Sequence, residues 1–179
     1  MAMRSARRRL ILSLACAGVA LGQAGCGGST SAKSAATAGA SADWGSRTEQ
    51  LCREKRAAIA GLGYVHITYA GIARVGLPAV KRELELYLGR LLGVLQDFAA
   101  RQRQLVPPSS LRQTMALAAA VNGQSYAVTS RLRRDVASVR SATELSGAFR
   151  VWLTSLQGLA ARGDQLARQL NLPGCRSGQ

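Results

Sequence analysis

Leu84, Leu88, Leu91, Leu95, Phe98, Gln102 and Leu105 recur at alternating spacings of four and three residues. That period gathers the side chains on one stripe of an α-helix, whereas in a strand it would scatter them over both faces. Pro78 stands where a first-turn proline is tolerated. Val106-Pro107-Pro108 ends the run, because the residue before a proline is pushed out of the helical region.

The same rhythm recurs on either side. Ser46-Arg47-Thr48-Glu49 is a capping box, in which hydroxyl and carboxylate satisfy the free amides of a helix start. Leu51, Lys55, Ala58, Ile59 and Leu62 continue it to Gly61 and Gly63. A third helix is expected from Ser109 or Ser110, carrying Leu111, Met115, Ala118, Val121, Val128, Leu132, Val136 and Val139. Its turn-like Asn122-Gly123-Gln124-Ser125 predicts either a kink or a helix imposed by packing. The fourth opens on a second capping box, Ser141-Ala142-Thr143-Glu144. It runs Leu145, Phe149, Trp152, Leu156, Leu159, Gly163, Leu166 and Leu170 to Asn171 and Pro173. Residues 63–76 read as a short helix or an irregular connector. Four helices with one apolar stripe each, joined mostly by short links, predict an all-α, up-down-up-down four-helix bundle over residues 46–179. With 47% hydrophobic and 18% charged residues, such a chain has the material for a core and lacks the composition of wholesale disorder.

The start of the chain has another character. Residues 1–9 carry four arginines and no acid, and Leu10–Leu21 is an apolar run of about a dozen residues. This is the order of a secretory signal, and the run is too short for the ~30 Å hydrocarbon layer that a permanent span must cross. It ends in Leu21-Gly22-Gln23-Ala24-Gly25-Cys26, which resembles the lipobox of bacterial lipoprotein precursors, with Gln23 where Leu is usual. The resemblance covers the first 29 residues. It implies a signal peptide over 1–25, cleavage after Gly25 and a diacylglyceryl group on the Cys26 thiol. Two acyl chains anchor stably, where one would bind reversibly. Arg7-Arg8-Arg9-Leu10-Ile11 also fits a loose twin-arginine pattern, so either export route is open. Residues 27–45 are mostly Gly, Ser, Ala and Thr, and together with Cys26 form an expected flexible tether over 26–45. The expected location is extracytoplasmic, anchored to the cell membrane by lipid.

If Cys16 leaves with the signal and Cys26 carries lipid, Cys52 and Cys175 remain, an even pair in an oxidising compartment. One lies near the start of the first helix and the other just beyond the fourth. In an up-down-up-down bundle those points share an end, so a disulfide between them is expected. The wider layout is similar to secreted lipoproteins of high-GC, actinobacterial type, a resemblance that brings no activity with it.

Catalytic chemistry finds few residues to work with. A single His66 does not supply the Glu-x-x-His pairs of a di-iron bundle, and the Cys-x-x-Cys-His string of haem attachment is absent. Glu83 and Glu85 lie two apart and so point to different faces of a helix. The chain has neither a Gly-x-Ser-x-Gly elbow nor a phosphate-cradling Gly-x-x-x-x-Gly-Lys loop. The expectation is a binding or scaffolding module with no catalysis, no metal and no cofactor.

Three features bear on binding. Asn122, Ser125, Tyr126 and Thr129 gather hydrogen-bonding groups on one side of the third helix, either as a site or as a solvent face. Gly163 at a core position either admits close approach of a neighbouring helix, the favoured reading, or leaves space for a small apolar ligand. Removing the four signal arginines leaves 20 of the 24 Lys+Arg against 9 Asp+Glu, with Arg131, Arg133, Arg134 and Arg140 clustered at the end of the third helix. Outside the cell, such charge meets anionic headgroups and wall polymers, or another envelope protein, rather than nucleic acid. A carrier or sensor of a small molecule, bound between helices near Asn122 and Gly163, is the alternative function.

Overall fold

The computed structural model describes residues 31–63, 65 and 67–177, with side chains from residue 43 onward. Among them the secondary structure is entirely helical: α1 (Ser31–Gly61), α2 (Tyr69–Val75), α3 (Leu77–Arg103), α4 (Arg112–Ser138) and α5 (Ala142–Gln169). Short 3₁₀ turns at Ser109–Leu111 and Pro173–Cys175 precede α4 and follow α5. The signal segment, the lipobox-like string with Cys26, and Tyr64 and His66 lie outside the described residues. No helix among the described residues is long and apolar enough to cross a membrane.

Local chemistry accounts for most boundaries. Ser141 Oγ accepts from the Glu144 amide at 3.2 Å, and the Glu144 carboxylate reaches back to the Arg140 amide at 2.8 Å, one residue further than in a reciprocal capping box. Within the 63–76 connector, Thr68 caps α2 by accepting from the Gly71 amide at 3.0 Å. Gly76, at φ 85°, then turns the chain directly into α3, a conformation that penalises any residue with a Cβ. The Asn122-Gly123-Gln124-Ser125 string does not interrupt α4. Ser125 and Thr129 spend their hydroxyls on the carbonyls of Val121 and Ser125, at 3.0 and 2.8 Å.

The first helix departs from expectation. It starts at Ser31, not at the Ser46 capping box, so residues 31–45, expected as part of a flexible tether, are helical. Ser46 is an exposed residue inside the helix, and Trp44 is buried against Met115, Leu170 and Leu172. The physical reason is alanine, the strongest helix former, which is frequent in the same stretch that reads as a flexible string.

The core falls into parts. The largest joins Leu84, Leu88, Leu91 and Leu95 of α3 to Leu132 and Val136 of α4 and to Leu145 and Trp152 of α5. A second cluster surrounds Trp44, and a third joins Leu51 and Cys52 to Phe98. α4 packs along both α3 and α5, while α1 packs on α3 and on the turn at Pro173–Cys175.

Candidate ligand-binding cavity

α1 rests on α3 and α5 on α4, and direct packing between α1 and α5 is slight. The space left between them is a cavity of about 380 Å³. That is within the ~300–1,000 Å³ range of small-molecule sites and is room for about a dozen waters at ~30 Å³ each. Its walls are largely apolar, with Leu91 and Leu95 from α3, Val121 from α4, and Trp152, Leu156 and Leu159 from α5. Leu156, Leu159 and Gly163 keep the core rhythm of α5 yet are only half-buried, because they face this space instead of another helix.

One end is closed by the segment that follows α5. After α5, Asn171 at φ 53° redirects the backbone, and residues 172–177 cross from α5 to α1. Cys175 is bonded there to Cys52, with Sγ–Sγ 2.10 Å and Cα–Cα 5.0 Å, as the cysteine arithmetic predicts. The Arg56 guanidinium donates to the carbonyls of Gly174 at 2.6 Å and Arg176 at 3.1 Å, and the Gly174 amide donates to Glu49 at 3.1 Å. On the α5 side, the Ser177 amide and hydroxyl both donate to the Asp164 carboxylate at 2.7 Å. Burial works to raise the Asp164 pKa, but the Ser177 hydrogen bonds, helped by Arg168 and Arg176, outweigh it and hold the carboxyl below its ordinary value. Residues 172–177 are therefore a strap tied at both sides, with Leu172, Cys175 and Arg176 contributing to the cavity wall.

A short polar chain crosses the cavity's middle. Lys55 Nζ donates to Asn122 Oδ1 at 3.4 Å, Asn122 Nδ2 donates to Gln102 Oε1 at 3.1 Å, and Gln102 Nε2 approaches Met115 Sδ at 4.0 Å. Lys55 Nζ also lies 4.2 Å from the centroid of the Phe98 ring, whose face attracts a cation. Burial, reinforced by the neighbouring Arg56 charge, draws the Lys55 pKa below its ordinary 10.5. Tyr87, also in the wall, has its phenol pushed above 10.0 by burial.

Asn122, Ser125, Thr129 and Gly163 all line this cavity. Tyr126 does not: it stands one residue round the helix from Ser125, 39% exposed, beside Arg133 and Arg134 in a shallow depression on the α3–α4 face. Gly163 is corrected from close helix packing to a position with room for a Cβ, which would meet only Val121 Cγ1, at an ordinary contact distance of 4.0 Å. Sequence reasoning missed Lys55 and Gln102 as site residues. The signal was present in both cases, a long polar side chain occupying an apolar position of the helical rhythm.

Arg131, Arg133, Arg134 and Arg140 are all exposed. Arg131 faces Asp135 at 3.8 Å, and the Arg133 guanidinium lies over Gly89, where an added Cβ would be 3.7 Å from its Cζ. Among the described residues, no group of three or more His, Cys, Asp or Glu is placed to hold a metal ion. Comparison with protein-family models, with curated proteins and with solved structures returned no match.

Proposed function

We propose that this chain is a binding module of the cell envelope: a four-helix, up-down-up-down bundle, anchored outside the cytoplasm through lipid on Cys26, that carries or senses a small apolar molecule without chemistry of its own. The observation that supports it is the cavity between α1 and α5, where four of the five candidate ligand residues meet. A bundle whose only task was to present a surface would gain from filling that space, because unfilled apolar volume lowers stability.

The test is binding of a neutral fluorescent apolar probe, phenylnaphthylamine, to the chain with its Cys52–Cys175 bond intact. A saturable rise in emission is expected, and Gly163→Phe, which places a ring in the cavity, should abolish it. A rise that survives this substitution, or no rise at all, would sink the reading. Anchoring is checked separately by the intact mass of the membrane-fraction protein, which should start at Cys26 and carry a diacylglyceryl group.

A second reading, contact of the arginine cluster with anionic headgroups or wall polymers, is favoured by the 79% exposure of the Arg131 side chain. It predicts envelope association of an unlipidated chain that weakens steeply with salt and fails when Arg131, Arg133 and Arg134 become alanine.

A further inference from the structure

The cavity's walls carry three basic side chains, Lys55, Arg56 and Arg176, and one acidic, Asp164. Their engagement is unequal. Arg56 grips two carbonyls of the strap, and Asp164 is taken up by Ser177. On the far side of Lys55, where α1 meets α3, Glu54 and Asp97 both lie against Arg101, at 2.6 and 3.9 Å. No carboxylate among the described residues comes within ion-pair distance of Lys55. Its partners there are Asn122 Oδ1, at a long 3.4 Å, and the Phe98 ring. An ammonium carries three donors, so this half-buried group has donors to spare, at a place where a charge without a counter-ion is costly.

The cavity is also long. Its α5 wall runs from Trp152 to Ala167, about 22 Å at a rise of ~1.5 Å per residue. Lys55 and Asn122 sit part-way along it, with Leu91, Leu95, Leu156 and Trp152 on one side. An elongated apolar space with one cation set into its wall complements a chain that has one anionic end.

We propose that the cavity takes a single-chain amphiphile with a carboxylate head, of the fatty-acid class, its head on Lys55 Nζ and its chain along the apolar wall towards Trp152. This rests on the reading of the cavity as a ligand site. A cationic amphiphile meets like charge at the same point, and a neutral one leaves Lys55 without a counter-ion. Asn122, held by Gln102, is the positioning residue: its carbonyl fixes the ammonium over the cavity rather than letting it extend into solvent.

The experiment uses the oxidised full chain loaded with phenylnaphthylamine and displaces the probe with dodecanoate, dodecanol or dodecylamine, each below its micellar concentration. Dodecanoate should displace at a concentration about tenfold or more below dodecanol, the discrimination expected of one charge-assisted hydrogen bond. Dodecylamine should be the weakest of the three. Lys55→Met should lose the preference for acid over alcohol, read as the ratio of the two displacing concentrations on that same variant. Equal displacement by acid and alcohol, or a preference that survives in Lys55→Met, would overturn the proposal while leaving the cavity reading in place. Failure of the neutral probe to bind at all would overturn both. Because the acid-to-alcohol comparison is made on the unsubstituted chain, it stands even if a substitution disturbs folding.

Discussion

Trp152 Nε1 on α5 donates to Thr129 Oγ1 on α4 at 3.2 Å, and Thr129 in turn donates to the Ser125 carbonyl one turn earlier. Thr129 is wholly buried and Trp152 is 6% exposed, so both groups depend mainly on protein partners. Thr129→Val keeps the shape and removes the acceptor, leaving the indole N–H unpaired in the core. The expected loss is about 1–3 kcal/mol in urea unfolding, with Thr129→Ser losing less because its hydroxyl can still accept. A valine variant as stable as the parent would mean that the hydrogen bond contributes nothing to the α4–α5 contact.

The Cys52–Cys175 bond spans 123 residues and ties the strap to α1. Opening it by substitution of both cysteines with serine should lower stability by about 2–4 kcal/mol, the range for native disulfides, with a chain-entropy ceiling near 5 for so long a loop. The strap also forms part of the cavity wall, so probe affinity should fall along with stability. Normal probe binding by the double-serine variant at temperatures where it is folded would show that Arg56, Glu49 and Asp164 suffice to hold the strap closed.

Gly163 separates two accounts of the same helix. If it were there to let α5 approach a neighbour, alanine would clash and destabilise. With only Val121 Cγ1 at 4.0 Å, alanine instead fits and gains helix propensity. Gly163→Ala should therefore raise stability by up to about 1 kcal/mol and reduce probe affinity only slightly. Thermal unfolding of the pair of proteins decides between the accounts.

Helix identity was legible wherever apolar spacing was strict: in α3, each of the six positions from Leu84 to Gln102 proved buried. The Cys52–Cys175 pairing was legible because only two cysteines remained once the N-terminal pair was assigned elsewhere. Two features resisted reading. Trp44 was hidden by its neighbours, since a Gly/Ala/Ser string has the composition of a linker while its alanines favour helix. The cavity was legible only as the second of two readings of Gly163, because periodicity reports which face of a helix is apolar, not whether another helix fills the space opposite. Leu156 and Leu159 follow the core rhythm as faithfully as Leu145, yet Leu145 is fully buried and they line a void. From the sequence side the region was marked by Asn122, Ser125, Thr129 and Gly163, and Lys55 and Gln102, polar residues in apolar registers, carried a further signal that went unread.

The Lys55 charge gives the proposed ligand a pH dependence whose sign follows from its surroundings. It is faced by Glu54 and Arg56 on α1, by Tyr87, Asp97 and Arg101 on α3, by Asp164 on α5 and by Arg176 on the strap. Hydrogen bonds from Gln50 and Arg101 draw the Glu54 carboxyl below its ordinary value, and those from Ser177 do the same for Asp164. Tyr87 is held neutral past 10.0 by burial. Lys55 is thus the group that changes charge as the solution turns alkaline, and it does so below 10.5. In the empty protein, its lowered pKa means that the unfolded chain binds the extra proton, so stability rises with pH between the folded value and 10.5. Bound carboxylate favours the ammonium and works the other way. Dodecanoate affinity should therefore be constant near neutrality and fall as pH climbs through the Lys55 pKa, while dodecanol affinity stays level and Lys55→Met is flat for both. Calorimetric titration at a series of pH values reads all three. An acid affinity that holds level up to 10.5 would place the carboxylate elsewhere than on Lys55.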